Sequence, residues 1–397
     1  MKVSLRVQEL AESATLAVAS KTAALKASGI DVVGFGAGEP DFDTPEHIKA
    51  AATDALAHGL TKYPKPPSGL PETKEAIRLK FKRENGLDYG ASEVMVTSGC
   101  KMACYLALQA LLDPGDEVII PVPYWVSFPE MAKLAGGVPV PIDSSDGQGF
   151  RFPADRIAAA VTPRTRLMIL NTPNNPGGFV YSEADLRAAA DIARKHDLAV
   201  LADETYDRLL FGGRSHVSFA SLSDDAYQRT VTVNSGSKTY AMPGWRIGYA
   251  AGPQPVIAAM AKLQSQTTSG VAPFTQLALA RALVADQECV EFMRREFESR
   301  GQHLARRLNE LPGVHCSEPE GAFYTFPNVA GTYASLGVDG SVAFAERLLS
   351  EAKVSVTPGI AFGCDDHVRM SFATSMKQID IGLDRMAAWL APVQSPA

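Results

Sequence analysis

The chain has 397 residues, 46% of them apolar and 21% charged, proportions that exclude disordered, collagen-like and disulfide-scaffold classes and suggest two or three domains' worth of core. A formal net charge of −6 argues against a nucleic-acid partner, which would favour a basic face. The five cysteines, Cys100, Cys104, Cys289, Cys316 and Cys364, show no paired metal-site spacing, so no metal is expected and reduced thiols in the cytoplasm fit best.

In chain order, the opening MKVSLRVQELAES lacks the apolar stretch of a signal peptide, and no run approaches the ~18 apolar residues of a membrane span. An amphipathic stretch, Leu16–Ser28, and the glycine-rich Gly34–Gly38 follow, and could join either of two domains. From about residue 46 to 285, helix and strand patterns alternate, the mark of an α/β domain with a mostly parallel sheet. The predicted strands are Val94–Ser98, Val118–Val122, Arg166–Leu170, Ala199–Ala202, Val231–Asn234 and Ile247–Ala251, mostly continuous apolar runs as expected of strands covered on both faces. The predicted helices are His47–His58, Glu72–Arg83, Met102–Leu112, Ala184–Lys195 and Phe274–Val284. Residues 286–397 read as α+β: a long charged helix Val290–Leu311, a strand Ala322–Phe326, a helix near Ala343–Glu351, a strand Val354–Thr357, a last helix from about Gln378 and a loose tail, Pro392–Ala397. The expected division is a large domain, 46–285, and a small domain built from 286–397 with the N-terminal arm, 1–45.

Open parallel sheets bind ligands where strands end. Ser98-Gly99-Cys100 joins a strand to a helix, where free N–H groups suit a phosphate, although one such joint alone is more often an ordinary turn. Asn171–Gly178 is a run of turn-formers, and Asp203-Glu204-Thr205-Tyr206 puts carboxylates at a strand's end, where capping and function are about equally common. Ser235-Gly236-Ser237-Lys238 ends another strand, with Arg246 eight residues after the lysine.

Taken together, NSGSKTYAMPGWRIGY, LADETY and NTPNNPGG resemble the cofactor site of the fold-type I, class I aminotransferases. AGEPDFDTPEH, Tyr63 in TKYPKPPSGLPE, Pro123–Ser127, Glu320–Tyr324 and Val368–Ser371 extend the resemblance over nearly the whole chain in family order, toward the bacterial and plastid aspartate and prephenate branch. The resemblance implies the fold of pyridoxal-phosphate-dependent transferases of type I and a ping-pong transfer of an amino group between an amino acid and a 2-oxo acid. It assigns Lys238 to the cofactor imine and to proton transfer, Asp203 to the pyridine nitrogen, and Tyr206 and Asn175 to the cofactor's phenolic oxygen. Ser235 and Arg246, with backbone groups of Gly99, Cys100 and Lys101, match the phosphate ligands, and Trp125 the aromatic stacked on the ring. Arg369 matches the fork that binds the α-carboxylate, aided by Asn175 and Gly38. Tyr63 matches a tyrosine given to the neighbouring subunit's phosphate site, which implies a homodimer.

Departures from the family pattern are Gly177 and Pro243 where threonine is usual, and Cys100 where glycine or serine is more common. No arginine occurs in Leu263–Ala280, where the well-studied dicarboxylate branch has one for the distal carboxylate; in the branch resembled here a lysine takes that part, and Lys101 stands there. Thr15 resembles a further contact at the pocket entrance. Aspartate or glutamate is the expected donor and prephenate the companion; an alanine or aromatic aminotransferase, or a β-lyase of the same fold, stays open.

Overall fold

The computed structural model describes residues 1–8, 10, 11, 14–147 and 149–391, without the side chains of Arg6, Ala14–Leu16 and Ala19. The tail predicted at Pro392–Ala397 lies outside the described residues. After a helix, Ala14–Ala27, the first strand is β1 (Val33–Gly34).

Among the described residues the strands form three sheets, the largest of seven strands. These are β2 (Val94–Thr97), β3 (Glu117–Val122), β4 (Val138–Asp143), β5 (Thr165–Asn171), β6 (Ala199–Asp203), β7 (Thr230–Ser235) and β8 (Gly248–Ala251), in the order β2-β8-β7-β6-β5-β3-β4. Only β8 runs against its neighbours; the other contacts are parallel. Each predicted strand is present, and the apolar runs are buried because helices cover both faces.

Strand β4 was not anticipated. Its sequence, Val-Pro-Val-Pro-Ile-Asp, carries two prolines, which demote a run to an edge, and an edge is where it lies, with exposed and half-buried residues throughout. The predicted helix Glu72–Arg83 begins at Pro71 and turns into a wider π-type turn over Phe81–Asn85 that closes on Gly86 at φ 69°. Helices Ser127–Leu134 and Gln254–Thr267 are further elements that the sequence reading missed.

The remaining strands are β9 (Tyr324–Thr325), β10 (Val354–Ser355), β11 (Thr357–Pro358) and β12 (Val368–Ser371). The single strand predicted over Val354–Thr357 is two: β10 pairs in parallel with β1, whereas β11 pairs with β12 in an antiparallel sheet ordered β11-β12-β9. The chain changes partners at Val356, which the sequence pattern does not mark. Pairing with β10 fixes the Gly34–Gly38 segment, and Phe35 packs so closely on the last helix, Met376–Leu390, that a Cβ at Gly382 would lie 2.4 Å from its ring.

The long helix Glu288–Leu308 buries Val290, Met293, Phe297, Gly301, Leu304 and Leu308, one face at helical spacing. Its Arg300 pairs with Asp41 at 2.8 Å and lies 5.0 Å from the Phe42 ring centre, tying the segment after Gly38 to this helix. All five cysteines are free, and no helix among the described residues is long and apolar enough to cross a membrane.

Candidate active site

Three neighbouring parallel strands end side by side. The β5–β6 register sets Asn171 against Asp203, β7 ends at Ser235, and Lys238 follows on the short helix Gly236–Thr239. Beyond these ends lies a cavity of about 390 Å³. It collects Gly38, Cys100, Lys101, Trp125, Asn175, Asp203, Tyr206, Ser235, Lys238, Arg246 and Arg369 from stretches far apart in sequence.

One end of the cavity is built for an anion. Helix Cys100–Leu111 starts after Gly99, whose φ of 86° favours glycine; a Cβ there would also lie 2.5 Å from the Arg246 Nη2 and push the guanidinium aside. Arg246, itself at φ 51°, donates to the Pro243 carbonyl at 2.6 Å, which fixes its guanidinium beside the helix start. Ser235 caps the Lys238 helix, its hydroxyl accepting from the Ser237 N–H at 3.3 Å. A helix terminus, a serine and an arginine together suit a phosphate dianion.

At the centre, Asp203 is 6% exposed. Burial raises its pKa, while Thr205, through side chain and backbone, and the Cys100 thiol oppose the shift. Lys238 donates to the Gly38 carbonyl at 2.5 Å. Burial pushes its ammonium down to about 8, with Glu39 opposing and Arg369 adding to the fall, so a fraction is already neutral and nucleophilic near neutral pH. Tyr206 shares a hydrogen bond of 3.1 Å with Tyr324, and burial holds its phenol protonated well above the ordinary range.

At the other end Arg369 is 1% exposed and still charged at any working pH. It donates to Asn175 Oδ1 at 3.1 Å and to the Gly36 carbonyl at 3.0 Å, and lies 4.6 Å from the Tyr324 ring centre. Its buried Nε has no hydrogen-bond partner among the described residues, and no carboxylate pairs with it there. A buried guanidinium with a spare donor is matched to an incoming anion.

The mouth holds Trp125, edge-on to Phe128 at 5.3 Å, with Lys101 Nζ 5.0 Å from the Trp125 ring centre. Lys101 remains accessible, yet the surrounding walls and the Arg246 charge lower its pKa. Gly99 stands just behind this lining, and Tyr63 lies outside it, 79% exposed on the surface of the single chain. The Thr15 side chain falls outside the described residues. Sequence reasoning gave no part to Tyr324, Thr205 or Asn171, although each lay within a quoted motif; what it lacked was the contact of Tyr324 with both Tyr206 and Arg369. A larger groove of about 720 Å³, between Phe150, Arg214 and His367, holds none of the predicted site residues.

The donor set fits pyridoxal phosphate: a glycine-made cup for the dianion, a buried carboxylate for a cationic ring nitrogen, and a lysine of lowered pKa between them. Comparison with known proteins agrees. The family model described as "Aminotransferase class I and II" matches residues 30–386. An aspartate aminotransferase of Geobacillus stearothermophilus is 46% identical, over 97% of this chain and 98% of that one. An aspartate/prephenate aminotransferase of Nitrosomonas europaea is 44% identical, over 98% and 100%. Among solved structures, the aspartate aminotransferase of Rhizobium meliloti superposes with a TM-score of 0.94 at 42% identity, covering 98% of each chain. That of Thermus thermophilus with maleate gives 0.92 at 44% identity, over 98% and 99%. With a family match over most of its length and full-length relatives above 40% identity, the chain belongs to the class I and II aminotransferases and uses pyridoxal phosphate.

Proposed function

We propose that the chain transfers the amino group of an acidic amino acid, aspartate first, to a 2-oxo acid. The observation that carries this reading is the presence of two cations for two carboxylates: Arg369, buried with a spare donor, and Lys101 at the mouth of the same cavity. Arg246 is committed to the anion end by its Pro243 contact. Two relatives act on aspartate by name, and one solved relative is held with maleate, a dicarboxylate. Prephenate, which also bears a second carboxylate, is the companion substrate, supported by the Nitrosomonas europaea relative.

Pyridoxal phosphate, when bound, supplies the electron sink that makes the substrate's α-hydrogen acidic. Gly99, Cys100, Ser235 and Arg246 would hold its phosphate, Trp125 its ring face, and Asp203 its ring nitrogen, with Asn175 and Tyr206 donating to its phenolic oxygen. Arg369 grips the α-carboxylate by two parallel hydrogen bonds and so orients the α-carbon. Lys238 would take the proton from the substrate α-carbon and deliver it to the carbon on the far side of the nitrogen, two atoms away; its lowered pKa makes it a base near neutral pH. Lys101, with Thr15 as a further contact, receives the distal carboxylate.

The homodimer is part of the same proposal. Tyr63 is fully outward on one chain, as a residue given to a neighbouring site would be. The division into 46–285 against 1–45 with 286–397 would put Lys238 and Asp203 on one body and Arg369 and Gly38 on the other. A half-reaction panel tests the substrate reading: aspartate and glutamate should convert the bound cofactor's absorbance at low concentration, and alanine and phenylalanine only at much higher concentration. Equal responses to all four would defeat it. Mixing inactive Lys238→Ala and inactive Tyr63→Ala chains should restore activity through hybrid dimers; no restoration would defeat the shared site.

A further inference from the structure

We infer that the Cys100 side chain is a positioning residue for Asp203, a part separate from the backbone contact proposed for this position at the phosphate end. Cys100 is the first residue of its helix, and its side chain is free of the backbone contact, so the thiol's own contacts need an account.

Those contacts form a short relay. The Thr205 hydroxyl donates to Cys100 Sγ at 3.0 Å, and Cys100 Sγ donates to Asp203 Oδ1 at 3.7 Å. The Thr205 backbone N–H donates to the same Oδ1 at 3.1 Å. Thr205 is 5% exposed and Asp203 6%, so water does not readily substitute for either donor. A thiol has one proton to give. With its acceptor side taken by Thr205, that proton is directed toward the carboxylate. Two donors on one oxygen also fix the rotation of the carboxylate, and neither of them uses Oδ2.

The chemistry points the same way. A hydrogen bond with Cys104 pulls the Cys100 thiol down, but burial and the Asp203 charge outweigh it, so the thiol stays protonated and acts as a donor. Burial favours a neutral Asp203, and every donor removed favours it further. A neutral Asp203 would no longer hold a cationic ring nitrogen. Cys100 thus helps to keep the charge in place, while the Thr205 hydroxyl orients Cys100.

This inference rests on the proposed pairing of Asp203 with the ring nitrogen, and the test separates the two. In holoenzyme, Cys100→Ala should weaken equilibrium cofactor affinity and lower kcat by about tenfold each, the scale of one hydrogen bond to a charged group, with KM for aspartate unchanged. The pH titration of the cofactor's visible absorbance should shift as well, and Cys100→Ser, which keeps a donor, should restore most of each value. Thr205→Val removes a hydroxyl that acts on Asp203 directly as well as on the thiol, so it should shift the same titration in the same direction by at least as much. Wild-type affinity and titration in Cys100→Ala would overturn the inference, as would a Cys100→Ser enzyme as impaired as the alanine variant, which would make the thiol a space-filler. Should Cys100→Ala fail to fold, an unshifted titration in Cys100→Gly, which also lacks the thiol, overturns it. If Asp203→Asn leaves the titration unchanged, the pairing itself fails; if Asp203→Asn changes it and Cys100→Ala does not, only the present inference fails.

Discussion

The run Asp203-Glu204-Thr205-Tyr206-Asp207 divides between two buried polar regions. Asp203 and Tyr206 line the cavity, whereas Glu204 and Asp207 join a cluster with Lys80, Asn85, His216 and Ser218. In that cluster the charges have partners. Lys80 binds both Asp207 and the Asn85 side chain, and Glu204 receives the Ser218 hydroxyl at 2.8 Å, the Phe219 N–H at 3.1 Å and Asn85 at 3.1 Å, with His216 Nε2 at 2.9 Å. On the cavity side the charges lack them: Asp203 meets no cation, and Arg369 meets no carboxylate among the described residues. Burial opposes both aspartates, yet Lys80 and His216 bring Asp207 below the ordinary carboxylate value while Asp203 rises above it. Four residues apart, one acid is held by the fold and the other is kept for a ligand.

Mutation should separate the two regions. The largest effect belongs to Lys238→Ala, which should remove detectable turnover while the thermal midpoint stays within a few degrees; residual turnover near wild type would displace the proton carrier from position 238. Asp203→Asn comes next, lowering kcat by at least ~100-fold. The thermal midpoint of the cofactor-free chain should not fall, because the fold disfavours the charge being removed. Asp207→Asn should do the reverse, costing up to about 3 kcal/mol of stability by leaving buried Lys80 with Glu84, 3.8 Å away, as its remaining acidic partner, with kcat of the folded enzyme within a few-fold of normal. An activity loss in Asp207→Asn equal to that in Asp203→Asn would erase the distinction.

A smaller effect should appear in the pH dependence of stability. Burial works against the His216 imidazolium, but Glu204 and Asp207 outweigh it and raise its pKa. A raised folded-state value gives stability that is full below the unfolded pKa of about 6.5 and is lost as pH rises through the folded value. Asp207, with a lowered value, contributes stability above its unfolded pKa and loses it as pH falls through the folded one. Thermal midpoints of wild type and His216→Gln should therefore converge as pH rises past neutrality. Parallel curves across that range would show that His216 does not gain its proton on folding.

How much of this was legible in the sequence depended on whether the information was local. The strand ends were readable because continuous apolar runs stop at polar residues, and the Gly99 turn because a strand, a glycine and a helix succeed one another. Lys238, which by itself looks like a solvent-facing lysine, was readable only through the family resemblance, as were Arg369 and Trp125. What escaped was settled by long-range contacts. The two fates of Asp203 and Asp207 depend on Lys80 and His216, distant in sequence, and the pairing of Gly34 with Ser355 brings the Gly36 carbonyl to Arg369. Strand β4 escaped because its prolines argue against any sheet interior, which holds for an edge without forbidding it.

The central claim is that this cavity reads two carboxylates, and the most direct measurement compares kcat/KM for aspartate and alanine in wild type and in Lys101→Ala. A charge-assisted hydrogen bond contributes about 1.5–3 kcal/mol, so the variant should lose about ten- to hundredfold in efficiency with aspartate and almost nothing with alanine. Equal losses with both substrates would mean that Lys101 serves the cofactor or the fold, and would contradict the dicarboxylate reading.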